Sequence, residues 1–368
     1  MVKRDFLASV LYIKILRQSL EARGYSLSDL LKDRSHQKLL QALGSDNNKL
    51  SLSAILDFWQ DAARLCDDPV LGLHIGESCH LTSYGIFAHL LMNCSNLKEA
   101  LSLICRYCHM MNEAAANTMT ETGSVVRYAL DFMLSHPAGY QSVEFHFASI
   151  IQLGRDLVAR QHRDKIVFRE VNFAHEPMTS LSEYKRIFGI VPNFDQPHNE
   201  LVIGKDVVEL STNAPNKGLF HLFLTQVDNI YRMDKHQGTY SSKVNWYLVS
   251  ENEWTSWPTL QQAATAIGLS ASSLKRKLNL EGTTYQEISD GIRFRRAKRI
   301  LKLGVHSVSE VGYQLGYNSV ASFGRAFKRW SGESPTDYQK RKLASSNAKS
   351  PWETTVPAEI KSSPETKQ

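Results

Sequence analysis

The chain has 368 residues and a formal net charge of +6, long enough for two or three domains with ordinary hydrophobic cores, which excludes a disulfide-stapled miniprotein. The basic excess is local: residues 1–240 hold 24 Lys and Arg against 26 Asp and Glu, residues 241–342 hold 16 against 8, and the last 26 residues hold 3 of each. A cationic segment beside a near-neutral one points to a module that faces nucleic acid.

No run approaches the ~20 apolar residues a membrane helix requires, the longest candidate, Tyr84 to Met92, being interrupted by His89. Met1 to Arg4 followed by Phe6 to Ile13 resembles a secretion signal only until Lys14 and Arg17, and no small-residue cleavage site follows, so an amphipathic first helix is expected. Five cysteines (Cys66, Cys79, Cys94, Cys105 and Cys108) are an odd number that suits free thiols in a reducing cytosol, and a cytoplasmic location is expected.

From residue 10 to about 160 apolar residues mostly recur at helical spacing, as in Leu97, Leu101, Ile104 and Cys108, with breaks at Gly24, Gly44, Pro69, Gly123 and Pro137. Alternation predicts strands over Ser124 to Leu130 and Lys165 to Phe173. Residues 1–210 thus read as a mixed α/β domain, 211–240 as a helical linker with a helix at about Gly218 to Met233, and the polar stretch His236 to Ser242 as the boundary before 241–341. Residues 344–368 are Ser, Thr, Pro, Lys and Glu with few apolar side chains; they cannot offset their ordering entropy and are expected to be disordered.

The basic segment contains a degenerate duplication. Ala264, Ile267 and Gly268 recur 48 residues later as Gly312, Leu315 and Gly316; after one extra residue, Leu274, Arg276 and Leu278 recur 49 later as Phe323, Arg325 and Phe327. Each copy reads as a helix, a glycine-containing turn and a second helix with a polar N-cap, Ser270 or Asn318, giving helix-turn-helix units at 260–280 and 308–331. With Leu274 and Leu278 inward, Ser272, Arg276 and Asn279 point outward and Lys275 sits at the rim. In the second copy Phe323, Phe327 and Trp330 are inward, Ala321, Arg325 and Lys328 outward, and Gly324 and Arg329 flank them.

Because the N-terminal part of such a helix meets base edges, Ser272, Lys275, Arg276, Ala321, Gly324 and Arg325 are the candidate DNA readers, the arginines forking onto guanine O6 and N7. Asn279, Lys328 and Arg329 lie further along and suit phosphates. Between the units, the pattern Thr283-x-x-Gln286 opens a connecting helix to about Lys302, roughly 28 Å long. Ile288 and Ile292 share one of its faces and Phe294, Ala297 and Leu301 another, while Arg293, Arg295, Arg296, Lys298 and Arg299 cover it, most of them as solvated charge. Such a strut can hold two reading helices near the ~34 Å spacing of successive major-groove segments. A plain helical bundle with a solvated basic surface is the competing reading; matched hydrophobes and matched arginines weigh against it.

With those residues in hand, residues 241–341 resemble the AraC/XylS-type DNA-binding domain, most specifically in Val308 to Trp330 followed by Gly332-Glu-Ser-Pro335 and Tyr338. The resemblance implies an all-α domain of two helix-turn-helix units joined by a linker helix. It also implies bacterial transcription regulation, usually activation, on bent double-stranded promoter DNA with RNA polymerase as a partner. It places base-reading positions on Ser272, Lys275 and Arg276 and on Val320, Ala321, Gly324 and Arg325; the sequence departs from the family in Leu278, where phenylalanine is common, and in lacking a proline near Thr284. About Leu16 to Leu210 resembles the arabinose-binding-like domain of one branch, through Asp68-Pro-Val-Leu-Gly72, Gly85, Asn96 to Leu101, Arg106-Tyr107, Tyr184 to Gly189, Phe194, Asn199 and Leu201. That likeness implies small-molecule sensing and homodimerisation, without naming arabinose. Arg106, Tyr107, His109 and Tyr128 are the candidate ligand residues, polar groups beside apolar faces that could orient a small acid; ordinary packing is the competing reading of each.

Cys105-Arg-Tyr-Cys108 with His109 has zinc or redox spacing but only scattered further ligands in Cys66, Cys79, His80 and Cys94. Ser272-x-x-Lys275 matches a penicillin-binding nucleophile pattern without its Lys-Thr-Gly partner, and no phosphate-cradling glycine loop or His-Glu-x-x-His occurs. No catalytic residue, metal or cofactor is expected. Two other readings stay open: a DNA-repair alkyl transferase-type regulator using a reactive cysteine, against which stands the lack of a Pro-Cys-His-Arg phrase, and a ligand-independent architectural DNA binder.

Overall fold

The computed structural model describes residues 6–25, 49–132, 134, 136–237, 239–250, 257–304 and 306–347. Most of the tail expected to be disordered, the start of the chain and the break at Gly44 lie outside the described residues. Two compact units are formed, Met1–Arg296 and Ala297–Gln368.

In the first unit β1 (Leu7–Ser9) pairs antiparallel with β2 (Lys49–Ser51), and α1 (Leu11–Ala22), α2 (Leu52–Leu65), α3 (Leu71–Ser78), α4 (Ile86–Met92) and α5 (Leu97–Met111) follow the helical spacing of the sequence. A four-stranded antiparallel sheet, ordered β3-β4-β6-β5, contains β3 (Ala115–Thr122), β4 (Val125–Phe132), β5 (Phe168–Asn172) and β6 (Asn199–Gly204). The connections are α6 (Gly139–Leu157), α7 (Leu181–Phe188) and, after β6, the short α8 (Lys205–Val208). Along β4, Val126, Tyr128 and Leu130 are buried and Val125, Arg127 and Ala129 are not, the alternation that identifies the strand in the sequence. The second expected strand is shorter than Lys165 to Phe173: residues 160–165 hold no apolar side chain to set against the core and wind into a 3-10 turn instead.

Central helix α6 is buried along most of its length. Its closest neighbour is α3, and the approach depends on glycine, because a Cβ at Gly72 would sit 2.2 Å from the Gln141 carbonyl oxygen. Gln141, itself buried, returns a bond by accepting the Gly72 N–H at 3.0 Å.

After α9 (Lys217–Gln237), the helix expected from Gly218, α10 (Tyr240–Ser250) opens within the polar stretch His236 to Ser242. It is followed by α11 (Leu260–Ile267), α12 (Ala271–Leu280) and α13 (Tyr285–Leu303), of which residues up to Arg296 belong to the first unit. Val244 and Leu248 of α10 lie in one hydrophobic cluster with Ala114, Ala116, Ala138 and Phe145 of the N-terminal region and with Ala263, Leu274, Leu278, Ile288 and Ile292 of the first helix-turn-helix. The N-terminal region and the first copy of the repeat therefore share a core. The second unit takes the end of α13, then α14 (Val308–Gln314), α15 (Val320–Ser331) and α16 (Pro335–Asn347). Its core is aromatic: Phe327 meets Phe323 and Tyr338 at ring separations of 5.8 and 5.4 Å, and Tyr317 meets Phe323 at 5.5 Å. The fold is thus a mixed α/β N-terminal region followed by an all-α region of two helix-turn-helix units joined by a helix.

Glu144 on α6 is wholly buried; the Tyr184 hydroxyl donates to its Oε1 at 2.5 Å, and its Oε2 meets no partner among the described residues. Burial pushes this carboxyl up from 4.5 to about 8. The folded chain holds the proton that the unfolded chain releases, so the contribution to stability is complete below pH 4.5 and is lost as pH rises to about 8. Glu144→Gln, which keeps an acceptor for Tyr184, should flatten the fall of the thermal midpoint across that window relative to the parent chain. His74, raised by its bond to Asp68, falls off in the same direction but is common to both proteins. Parallel midpoint curves for parent and variant would contradict the assignment.

Candidate nucleic-acid interface

The two helix-turn-helix copies are built with the same local devices. Thr259 with Gln262 caps α11 and Ser307 with Glu310 caps α14, each as a reciprocal capping box, 48 residues apart like the rest of the repeat. Both turns then pass through glycine at positive φ, +78° at Gly268 and +75° at Gly316, where a side chain would be strained. On α12 the Ser270 side chain accepts from the Ser273 N–H; on α15 it is Ser319 that accepts from the Ser322 N–H, not the expected Asn318. The extra residue of the second copy lies in its turn, so the cap moves one place along the chain. A similar one-residue correction applies to α13, where Thr284 and Glu287 exchange the capping bonds at 2.9 and 3.2 Å. Gln286, expected in that role, instead bonds Asp290 at 2.8 Å.

Capped in this way, each second helix turns one face inward. Leu274 and Leu278 of α12 are fully buried, and Ser272, Lys275, Arg276 and Asn279 are exposed together along one open depression. Leu280 completes it at 82 % exposure. Leu280 is absent from the sequence-based set although it lies four residues after Arg276, a spacing that places it on the same face. On α15, Phe323, Ala326 and Phe327 are buried while Val320, Ala321, Arg325, Lys328 and Arg329 are exposed. Gly324 is half-buried with no atom within 4 Å of where a Cβ would sit, which leaves that stretch of the face open. Lys275, Arg276, Arg325 and Lys328 form no ion pair among the described residues, so the two matched faces carry four cations without a counter-charge from those residues.

Support comes from α10. Glu281, just past α12, accepts the N–H groups of Tyr240 and Ser241 at 2.6 and 2.8 Å, and Lys277 lies 4.3 Å from the Tyr240 ring centroid. The strut arginines expected as solvated charge are partly used for packing. Arg293 and Arg296 lie over the Trp257 ring at 4.6 and 5.6 Å, and burial lowers the pKa of Arg295, which the Asp131 carboxylate opposes. The reason is tertiary: Trp257 is anchored by its indole N–H to Ser289 at 2.7 Å and offers its face to the helix.

The four candidate ligand residues occupy two places. Arg106 and Tyr107 both donate to Asp228 of α9, at 3.0 and 2.5 Å, and the His109 ring packs against Tyr231 and Trp246 at 5.1 and 5.4 Å. Tyr128 lies apart from them, fully buried on β4, with its hydroxyl 2.8 Å from His146 Nε2 and the Asn117 amide nitrogen 3.3 Å from the same atom. His146 and Asn117 are not apparent as site residues in the sequence, because only strand pairing and the packing of α6 bring them to Tyr128.

Residues 39–211 match the family model of the arabinose-binding domain of AraC transcription regulators, N-terminal, and residues 263–341 match that of a helix-turn-helix domain. The chain is 26% identical over 302 residues to the ornithine utilization regulator of Pseudomonas aeruginosa, covering 82% of this chain and 87% of that one. It is 26% identical over 285 residues to an uncharacterized HTH-type transcriptional regulator of Mycobacterium tuberculosis, covering 76% of this chain and 81% of the other. Among solved structures, the transcriptional regulator CdpR of Pseudomonas aeruginosa is 20% identical, covers 90% of this chain and 98% of its own, and superposes with a TM-score of 0.43.

The displaced cap can be tested directly. Ser319→Ala should lower the stability of the second unit by about 1 kcal/mol, as loss of a serine N-cap does, whereas Asn318→Ala should be near neutral. Urea unfolding of the two variants decides it, and the reverse order would restore Asn318 as the cap.

Proposed function

Because the chain belongs to the AraC-type transcription regulators and carries their arabinose-binding-like N-terminal domain, we propose that it is a cytoplasmic bacterial activator that binds promoter DNA through both helix-turn-helix units and engages RNA polymerase under the control of a small-molecule effector. The observation that carries this reading is the pair of matched, capped helices whose outward faces bear Lys275, Arg276, Arg325 and Lys328, without an ion pair among the described residues, while their inward faces are sealed. In it, residues 1–210 sense and dimerise, 211–240 link, and 241–341 bind DNA. Arg276 and Arg325 fork onto guanines, Ser272 and Lys275 read neighbouring base edges, and Val320, Ala321 and Gly324 leave room for thymine methyl groups. Asn279, Lys328 and Arg329 hold phosphates.

Further support bears on the finer points. The α9 helix exposes Leu219, Leu222 and Ile230 on one stripe, an apolar surface suited to a second copy of the chain. No helix among the described residues is long and apolar enough to cross a membrane. The alkyl-transfer alternative requires a thiol of lowered pKa; burial instead raises those of Cys66, Cys79, Cys94, Cys105 and Cys108.

Footprinting on promoter DNA should show two protected major-groove patches about one helical turn apart; a single patch would contradict the tandem arrangement. Arg276→Ala should cost about 1–3 kcal/mol at one operator base pair and relax the preference there, with uniform weakening on all sequences as the contrary result. Lys328→Ala should weaken all duplexes alike and reduce the slope of log affinity against log salt by about 1, as measured by anisotropy titration at several salt concentrations.

A further inference from the structure

Leu280, the last residue of α12, is 82 % exposed, the highest value of any large apolar side chain among the described residues. A lone exposed leucine is ordinary. This one lines the same open depression as Ser272, Lys275, Arg276 and Asn279, the four residues of the first reading face. Leu274 and Leu278 are buried and set the inward direction of the helix. At ~100° per residue Arg276 then points directly outward, with Leu280 about 40° to one side of it and Asn279 about 60° to the other. Leu280 therefore stands nearer the middle of the face than Asn279. Along the axis it is about 6 Å beyond Arg276, less than two base-pair steps of ~3.4 Å.

The repeat changes character at this point. At the spacing of 49 residues that relates the two second helices, Asn279 and Leu280 correspond to Lys328 and Arg329, both exposed. The face of α15 thus ends in two cations, that of α12 in an amide and a hydrocarbon. A leucine cannot bond phosphate. Nor does an apolar protein surface suit it, because covering Leu280 would also strip water from Lys275 and Arg276, which form no ion pair among the described residues. Duplex DNA supplies both halves of the match: phosphates for the cations and, as the one apolar group that base pairs present in the major groove, the C5-methyl of thymine.

We propose that Leu280 is a specificity-determining residue that covers the C5-methyl group of a thymine within two base pairs of the guanine met by Arg276. The first unit then reads one base by hydrogen bonds and a near neighbour by hydrocarbon contact alone. This assignment rests on the reading of the chain as a sequence-specific DNA binder. It separates the two units in kind, since the matching position of the second copy, Arg329, carries charge and is held by phosphate.

The full-length protein is used to select duplexes from a random-sequence pool, and Arg276→Ala, by relaxing one guanine, marks that base on the selected site. A thymine should be enriched within two base pairs of it. Every thymine of the site is then replaced by uracil in turn, which removes only the methyl group. At that one position the change should lower the affinity of the parent chain about four-fold in an anisotropy titration, the worth of one buried carbon. Leu280→Ala should bind the unmodified duplex more weakly by a similar factor and be indifferent to uracil there, while Leu280→Met should keep the response. Both variants change a side chain that stands in solvent and leave the buried face of α12 intact. No thymine enriched beside the marked guanine, unchanged affinity in Leu280→Ala, or a uracil response that survives in it would each overturn the proposal. If Arg276→Ala relaxes a guanine and the uracil series is flat, specific reading of DNA stands and the role of Leu280 falls; if selection yields no preferred sequence, the reading of the chain as a sequence-specific regulator falls with it.

Discussion

Leu274 and Leu278 on one helix and Phe323 and Phe327 on another lose all contact with water, and at 100° per residue that burial leaves a single set of positions to face outward. The DNA-binding chemistry of the chain is a consequence of this constraint. Arg276 and Arg325 are displayed because their neighbours two places away are sealed, and the caps at Ser270 and Ser319 fix where each helix begins to count. Affinity for phosphate needs only positive charge in the region; the ability to address particular base edges needs that charge in fixed register, which the buried pairs supply.

Burial works differently inside the N-terminal domain. Glu144 and His146 are two residues apart on α6 and so lie on nearly opposite sides of it, one bonded to Tyr184, the other to Tyr128. In both places desolvation favours the uncharged form, pushing the carboxyl's pKa up and the imidazole's down. The result is a pair of buried groups, each hydrogen-bonded and favoured in its uncharged form, in a chain whose two second helices expose cations.

How much of this was legible in the sequence follows from the range of each interaction. Period and phase of the repeat come from local spacing, so both second helices, their inward hydrophobes and their outward arginines could be located from residue types alone. So could β4, whose alternation needs no knowledge of its partners. The caps at Ser319 and Thr284 missed by one residue because several adjacent polar residues can cap and only the turn geometry chooses between them. Arg293, Arg295 and Arg296 resembled solvated charge because nothing local signals that Trp257 lies against them. The Tyr128, Asn117 and His146 group depends on strand pairing plus a helix crossing, and no periodicity encodes it.

The shared core between the N-terminal region and the first copy sets the two halves of the duplication on different footings. The second copy surrounds its aromatic residues with partners of its own, Tyr317, Phe323, Phe327 and Tyr338. Its twin has delegated part of that task to Ala114, Ala116 and Phe145, far upstream. Recombination that exchanged the front of the gene near codon 240 would hand the second copy over intact and strip the first of its backing, so descendants that acquire new front ends must also rewrite Val244, Leu248 and their neighbours.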